Sequence, residues 1–422
     1  MCVGARKDDI MSDQHYHEFG RLVGLDLNVS HNETGVAKGN NNILDEIDLA
    51  RIRGTDLRTH YNQSGLDIEW FHLEYVERSY RKYKEERELM DFTDLLAKLA
   101  VNPSLLPALD VVIIDEAQDL SALQWDIVSE LVRKSKRAYL AGDDDQAIFN
   151  WAGSDVKRFL RFAGEVHVLE QSYRVPKRVH RLANDIITKL PDRQQKNWKA
   201  RDFEGDIFQH PSYQYVPVHE GNWLILASTK YHLKPIMEWL ADQGLLYEFE
   251  GKRSVPDIML QAVYGWERLR LGKSILGSQV EIVYRYLGTE FVAKGFKKFR
   301  QGDPDWMYDM DTLKESYGLL TEEPWTTALS RISPAMQVYI SAILRRGTKF
   351  SGITRIQVST IHGAKGGEAD NVMLLLDLSP RFVEEHARDD SDLRRLLYVA
   401  LTRTKQTLHL VLAKNRERSF QI

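Results

Sequence analysis

Cysteine is almost absent from this sequence: Cys2 is the single one in 422 residues. One thiol cannot close an internal disulfide, so a disulfide-stapled fold is excluded and a reducing compartment fits. No apolar run approaches the roughly 20 residues that span a bilayer, so no membrane partner is expected. The stretch from Met1 to Asp13 is charged and has no apolar centre of the kind a secretory signal carries. An excess of positive charge is missing too, since 57 Lys and Arg face 61 Asp and Glu for a net charge of −4. Any nucleic acid would have to be held by a local basic groove rather than by a basic protein. Internal repeats and low-complexity tracts are also lacking. What remains, 43% hydrophobic and 28% charged residues, is an ordinary globular composition. The length calls for two or three domains.

The chain is organised around Val111-Val112-Ile113-Ile114, followed at once by Asp115-Glu116-Ala117-Gln118-Asp119. Four β-branched residues in a row predict a strand buried on both faces, as in the middle of a parallel sheet. Carboxylates at the carboxyl end of such a strand stand where open α/β sheets bind ligands. Asp115 can reach Mg²⁺ through a water, and Glu116 can polarise a water near a γ-phosphate. Alone, the pair is equally explained as a solvated turn.

Ahead of this strand, 1–27 and Leu57 to Leu99 have helical spacing, and 28–44 reads as a polar loop or insert. The charge run from Glu77 to Glu88 reads as a solvated helix face. After it come a helix over 122–132 and strands at 138–141 and 166–169. A second sheet is predicted from strands at 223–227, 356–359, 372–376 and 408–412. Between the first two of these lie a helix over 234–240 and an aromatic-rich helical stretch, 256–345. Strands alternating with helices predict a parallel α/β architecture.

Further candidate residues lie at the strand ends. Gln146, in Gly142-Asp143-x-x-Gln146, can hydrogen-bond a γ-phosphate or its attacking water; its bland alternative is turn chemistry. Phe149 and Trp151 can stack on bases, worth roughly 1–3 kcal/mol each, or can be core. Arg174 and Arg403 can stabilise transferring phosphoryl charge, or can be surface ion pairs. Thr360 to Glu368 is a Gly-rich strand-to-helix turn that offers His362 and Lys365 to a phosphate backbone.

In this order the motifs resemble those of the UvrD/Rep/PcrA group of superfamily 1 DNA helicases, over about residues 85–413. The resemblance implies a Walker B role for Asp115 (with Glu116, Mg²⁺) and water activation by Glu116. It implies γ-phosphate sensing by Gln146 and base stacking by Trp151 with Phe149. Gln171-Ser172-Tyr173-Arg174 resembles motif IV, with Arg174 on the γ-phosphate. Glu368 stands at the ribose-contacting position of motif V, and Arg403 at the arginine finger of motif VI. The fold implied is two RecA-like parallel-sheet lobes, the first N-terminally truncated, with a helical insert in the second. Their expected bounds are 1–168, with a reduced 1B-like insert at about 28–85, then 169–255 with 346–422, and a 2B-like insert at 256–345. The activity implied is ATP-dependent 3′–5′ unwinding of DNA, with ATP between the lobes and single-stranded or junction DNA as partner. A bacterial or phage-infected cytoplasm follows from the same resemblance.

One element of the family pattern has no counterpart. The phosphate-cradling Gly-x-x-x-x-Gly-Lys-[Ser/Thr] occurs nowhere in the chain. Gly272-Lys273-Ser274 has Glu267 where the first glycine is required, and reads as a helix end. Two expectations follow: the loop is on a separate polypeptide, beyond a split or incompletely recorded gene, or the chain is a degenerate helicase that binds single-stranded DNA without turnover. Motif VI departs slightly as well, with Asp392-Leu393 before Arg394 and Arg395 in place of an acidic pair.

Overall fold

The computed structural model describes residues 6–25, 27, 30–31, 37–38, 42–296, 299, 302–347, 354–386 and 389–422. The chain divides into two compact units. The first comprises 1–170, 187–198 and 389–398, and the second 171–186, 199–388 and 399–422. The polar stretch 28–44 falls largely outside the described residues.

The helical part of the first unit follows its apolar spacing. Leu73, Val76, Tyr80 and Tyr83 recur every three or four residues along the helix Trp70–Glu86, so they form one face. That face packs on Tyr16 and Phe19 from the helix Asp13–Val23 and on Ile43, Leu44 and Ile47 from the helix Asn42–Ile52. The helix Phe92–Val101 begins at a reciprocal cap made by Asp91 and Asp94. The same carboxylates receive two cations, the buried Lys84 and the part-buried Arg51. Lys84 lies 2.5 Å from Asp91, Arg51 lies 2.8 Å from both Asp91 and Asp48, and Asp94 pairs with both cations. Buried charges persist only when paired in this way.

Strand β1 (Val111–Ile114) pairs in parallel with β2 (Arg137–Leu140), with Val111 opposite Arg137 and Ile113 opposite Tyr139. Among the described residues this sheet has two strands. Alternation sends Val112, Ile114, Ala138 and Leu140 to one face. There Ile114 and Leu140 meet Trp125 and Val128 of the helix Ala122–Lys134. Val111, Ile113 and Tyr139 take the other face and are exposed, Ile113 by 72%. The expectation of a strand buried on both faces is therefore corrected: among the described residues one face has a helix over it and the other is exposed. Val166–Leu169 is also corrected. It has the composition of a strand but makes no ladder, and Leu169 is 91% exposed. Composition favours extended backbone, but a strand needs a neighbour to exchange hydrogen bonds with.

The second unit is built on seven strands: β3 (Asp206–His210), β4 (Trp223–Ala227), β5 (Glu248–Phe249), β6 (Lys252–Arg253), β7 (Ile356–Thr360), β8 (Ala369–Leu375) and β9 (Thr404–Val411). Their order is β3-β9-β8-β4-β7-β5-β6, parallel throughout except for the terminal β5-β6 pair. All five residues of β4 are buried. The helix Lys230–Asp242 lays Leu233, Ile236 and Leu240 on the same core. Non-sequential neighbours in a parallel sheet require crossovers, which is the α/β class expected.

Residues 256–345 are helical as expected, with Asp257–Arg270, Gly277–Tyr286, Met310–Ser316, Trp325–Ala328 and Pro334–Arg345. They enclose an aromatic cluster of Tyr284, Phe299, Tyr308 and Tyr317, with centroids 5.1–5.3 Å apart. Gly277 is required there, because a Cβ would come within 2.0 Å of the Asp303 carbonyl oxygen. Gly272-Lys273-Ser274 lies just past the end of the first of these helices.

Candidate nucleotide-binding site

Asp115 and Glu116 are both exposed at the carboxyl end of β1. Glu116 has φ 51° and ψ 39°, the left-handed region that a residue with a side chain seldom occupies. The turn is held by Gln118, which is wholly buried. Its amide donates to Glu116 Oε2 at 2.5 Å, and its carbonyl oxygen accepts from the Asp143 backbone N–H at 2.9 Å. Gly142 makes this approach feasible, since a Cβ there would lie 2.5 Å from the same carbonyl oxygen. The acidic turn and the loop after β2 are thus tied directly.

In that loop Gln146 donates from Nε2 to Asp143 Oδ2 at 2.7 Å. Burial alone would raise the Asp143 carboxyl, but Lys196 beside it and hydrogen bonds from Gln146 and Asp145 hold it below the usual range. Phe149 is half-buried and Trp151 is 48% exposed, their ring centroids 6.2 Å apart. Trp151 is thus partly exposed beside Phe149. Asn150, between them, donates to Asp392 Oδ1 at 2.6 Å.

Sequence reasoning missed Arg193 and Lys196, which lie in this same unit. Lys196 contacts Asp143, Asp144 at 2.5 Å and Asp145 at 3.1 Å. Arg193 grips Asp145 with two bonds of 2.8 and 2.6 Å. The one available signal was three consecutive aspartates after a strand, which demand cations if any of them is buried.

The remaining candidates belong to the second unit. Arg174 Nη1 stands 3.5 Å from Glu368 Oε2, and Lys405 Nζ 3.0 Å from Glu368 Oε1. The hydrogen bond from Lys405, with Arg174 adding to it, holds the Glu368 carboxyl below its ordinary value. Arg174 and Glu368 are therefore one cluster. Tyr173, passed over in the sequence, is exposed next to Arg174. Arg403 is only 1% exposed. Its guanidinium donates to the carbonyls of Val399 at 3.0 Å and Gly367 at 3.4 Å. His362 and Lys365 lie in a turn where the Gly363 N–H donates to Thr360 Oγ1 at 3.1 Å. This turn leads into β8, not into a helix as expected: Gly363, Gly366 (φ +83°) and Gly367 disfavour helix.

Among the described residues no group of three or more His, Cys, Asp or Glu is disposed to hold a metal ion. Two adjacent exposed carboxylates nonetheless suit Mg²⁺, which takes one or two carboxylates and keeps most of its waters. No described helix is long and apolar enough to cross a membrane.

Two family models match: the UvrD/REP helicase N-terminal domain over residues 35–167 and the UvrD-like helicase C-terminal domain over residues 331–415. Together they take in more than half of the chain, which belongs to the UvrD-like helicase family. Relatives include the ATP-dependent DNA helicase PcrA of Bacillus subtilis, 26% identical over 221 residues, with 44% of this chain and 30% of that protein covered. DNA helicase II of Haemophilus influenzae is 27% identical over 190 residues, covering 42% of this chain and 24% of that protein. PcrA of Staphylococcus aureus is 30% identical over 148 residues, covering 31% and 20%. In each case the chain spans less than a third of the relative's length. A solved arterivirus nonstructural protein 10 helicase has a TM-score of 0.31 at 9% identity, covering 77% of this chain and 52% of that one, too slight a likeness to carry any argument.

Proposed function

We propose that this chain carries the hydrolytic and DNA-contacting residues of an ATP-dependent DNA helicase that moves 3′ to 5′ on single-stranded DNA. The observation that carries the reading is the link Glu116–Gln118–Asp143–Gln146. It joins a strand-end carboxylate to an amide that stands five residues before an exposed indole. On this reading Glu116 accepts a proton from the attacking water and Gln146 orients that water. Arg174 balances charge on the γ-phosphate, Glu368 contacts the ribose, and the exposed Tyr173 ring offers a surface for the base. Asp115 and Glu116 would hold Mg²⁺, which when bound supplies charge neutralisation for the phosphates. Trp151, with Phe149, stacks on DNA bases, and His362 and Lys365 meet the DNA backbone.

A second reading is favoured by one observation, the carbonyl-bound, buried Arg403. It is a chain that binds single-stranded DNA without turnover, or one completed by a polypeptide that supplies the phosphate loop. A DNA-stimulated ATPase assay on the chain separates the two. Turnover supports the motor; DNA binding without turnover supports the second reading. In any active preparation Glu116→Gln is expected to lower turnover by about 10³-fold or more, since it removes the base and leaves the shape. Undiminished turnover in that variant would remove Glu116 from its role.

A further inference from the structure

Three consecutive aspartates, Asp143-Asp144-Asp145, follow β2, and the last two are 1% and 0% exposed. Carboxylates in such a place are costly unless cations reach them. The cations come from the 187–198 segment of the first unit, some 50 positions along the chain and outside any regular helix or strand over its polar part. Lys196 Nζ is the common point, touching all three carboxylates. Arg193 forks onto Asp145, the Gln194 N–H donates to Asp144 Oδ2 at 2.9 Å, and Arg395 Nε donates to the Asp144 carbonyl at 3.1 Å. Asp143 is the branch point. One carboxylate oxygen accepts from Lys196, and the other accepts from Gln146. Its own N–H is held by Gln118, the residue that holds Glu116.

We infer that Lys196, seconded by Arg193, is a positioning residue that acts through Asp143 to fix Gln146 and, through Gln118, Glu116. The nucleotide roles of Gln146 and Glu116 rest on the reading above; the mechanical linkage does not. A turn needed only for shape would use Gly, Asn or Ser, which cap and turn without buried charge. Three acids fed by two cations instead hold the loop in one arrangement. Removing Lys196 leaves like charges facing each other, so the loop must open and take Gln118 with it.

Amide hydrogen exchange on the full chain, without nucleotide or DNA, tests the linkage directly. Lys196→Met is expected to speed exchange by about tenfold or more across both 142–151 and 117–119, leaving β4 of the second unit unchanged. Lys196→Arg is expected to restore both segments. If Lys196→Met does not fold, Asp143→Asn takes its place and should loosen the same two segments. The inference is overturned if the chosen variant affects 189–200 alone, or if Lys196→Arg fails to restore a loop that Lys196→Met has loosened. A second arm measures binding of a fluorescein-labelled oligo(dT) with and without Mg-ATP analogue. Lys196→Met should lose the nucleotide response of oligo(dT) binding that the wild type shows, and Lys196→Arg should keep it. A wild type that binds neither would overturn the helicase reading, while the exchange result still decides the linkage.

Discussion

Strand Trp223–Ala227 is buried at all five positions, whereas Val111–Ile114, of equally apolar sequence, is fully buried at one. The difference lies in the neighbours. The first has parallel strands on both sides within seven; among the described residues the second is one of two. The units also differ in the polar groups they bury. Among the described residues the first encloses Asp48, His60, Lys84, Asp91, Asp144, Asp145 and Arg395, while in the second, tyrosines aside, the buried ionisable side chains are Arg403 and His409. Hydrophobic area therefore holds the second unit, and paired charge is a structural member of the first. Buried pairs add little net stability over apolar packing, but losing one partner is severe.

The sharpest way to break this comparison is Lys84→Met. It leaves Asp91 and Asp94 to Arg51 alone and is expected to cost the first unit about 3–5 kcal/mol, read by denaturant unfolding with exchange at the helix Trp70–Glu86. Next is the second unit's counterpart, Ile225→Ala in β4, expected to cost about 3 kcal/mol through its cavity. The same truncation at Ile113, on the bare face of β1, should stay within about 0.5 kcal/mol. Equal losses at the two isoleucines would remove the distinction.

The smallest effect is in pH, where the units should move in opposite directions. Burial, then Asp91, pushes the Asp48 carboxyl up to about 7. Between about pH 4 and 7 the folded unit thus keeps a proton that the unfolded chain has lost, and this contribution to stability fades as pH rises. Asp91 itself is held low by Arg51 and Lys84 against its burial, so its contribution fades only in stronger acid. Burial, then His210 at 2.9 Å, holds His409 down to about 4. Here the unfolded chain takes the proton first, so stability is complete above about pH 6.5 and fades as pH falls toward 4. Asp48→Asn should flatten the first slope and His409→Phe the second, each followed by exchange within its own unit. Parallel slopes in the two units would contradict the assignment.

Much of this was legible beforehand where a residue carries its own signal. The apolar runs at 223–227, 356–359, 372–376 and 408–412 fall on the strands Trp223–Ala227, Ile356–Thr360, Ala369–Leu375 and Thr404–Val411, and the acids after Ile114 stand at a strand end. Edge strand Asp206–His210 went unread because its two polar ends and single exposed edge leave no apolar run. Val166–Leu169 was read as a strand because composition cannot report whether a neighbour is present. Arg193 and Lys196 were invisible for a related reason. Their partners are 48 and 53 positions away, and irregular backbone has no period to betray which side faces inward. The ring of Arg403 contacts was hidden too, since an arginine's burial depends on carbonyls that no motif names.

The left-handed backbone of Glu116 also restricts which amino acids this position can hold. At φ 51° valine, isoleucine and threonine would crowd their own carbonyl, whereas asparagine, aspartate and glycine sit there with less strain. A saturation library at this position would therefore be screened twice, by torsion before chemistry. A residue kept there despite its poor fit points to a demand on the side chain that outweighs the comfort of the main chain.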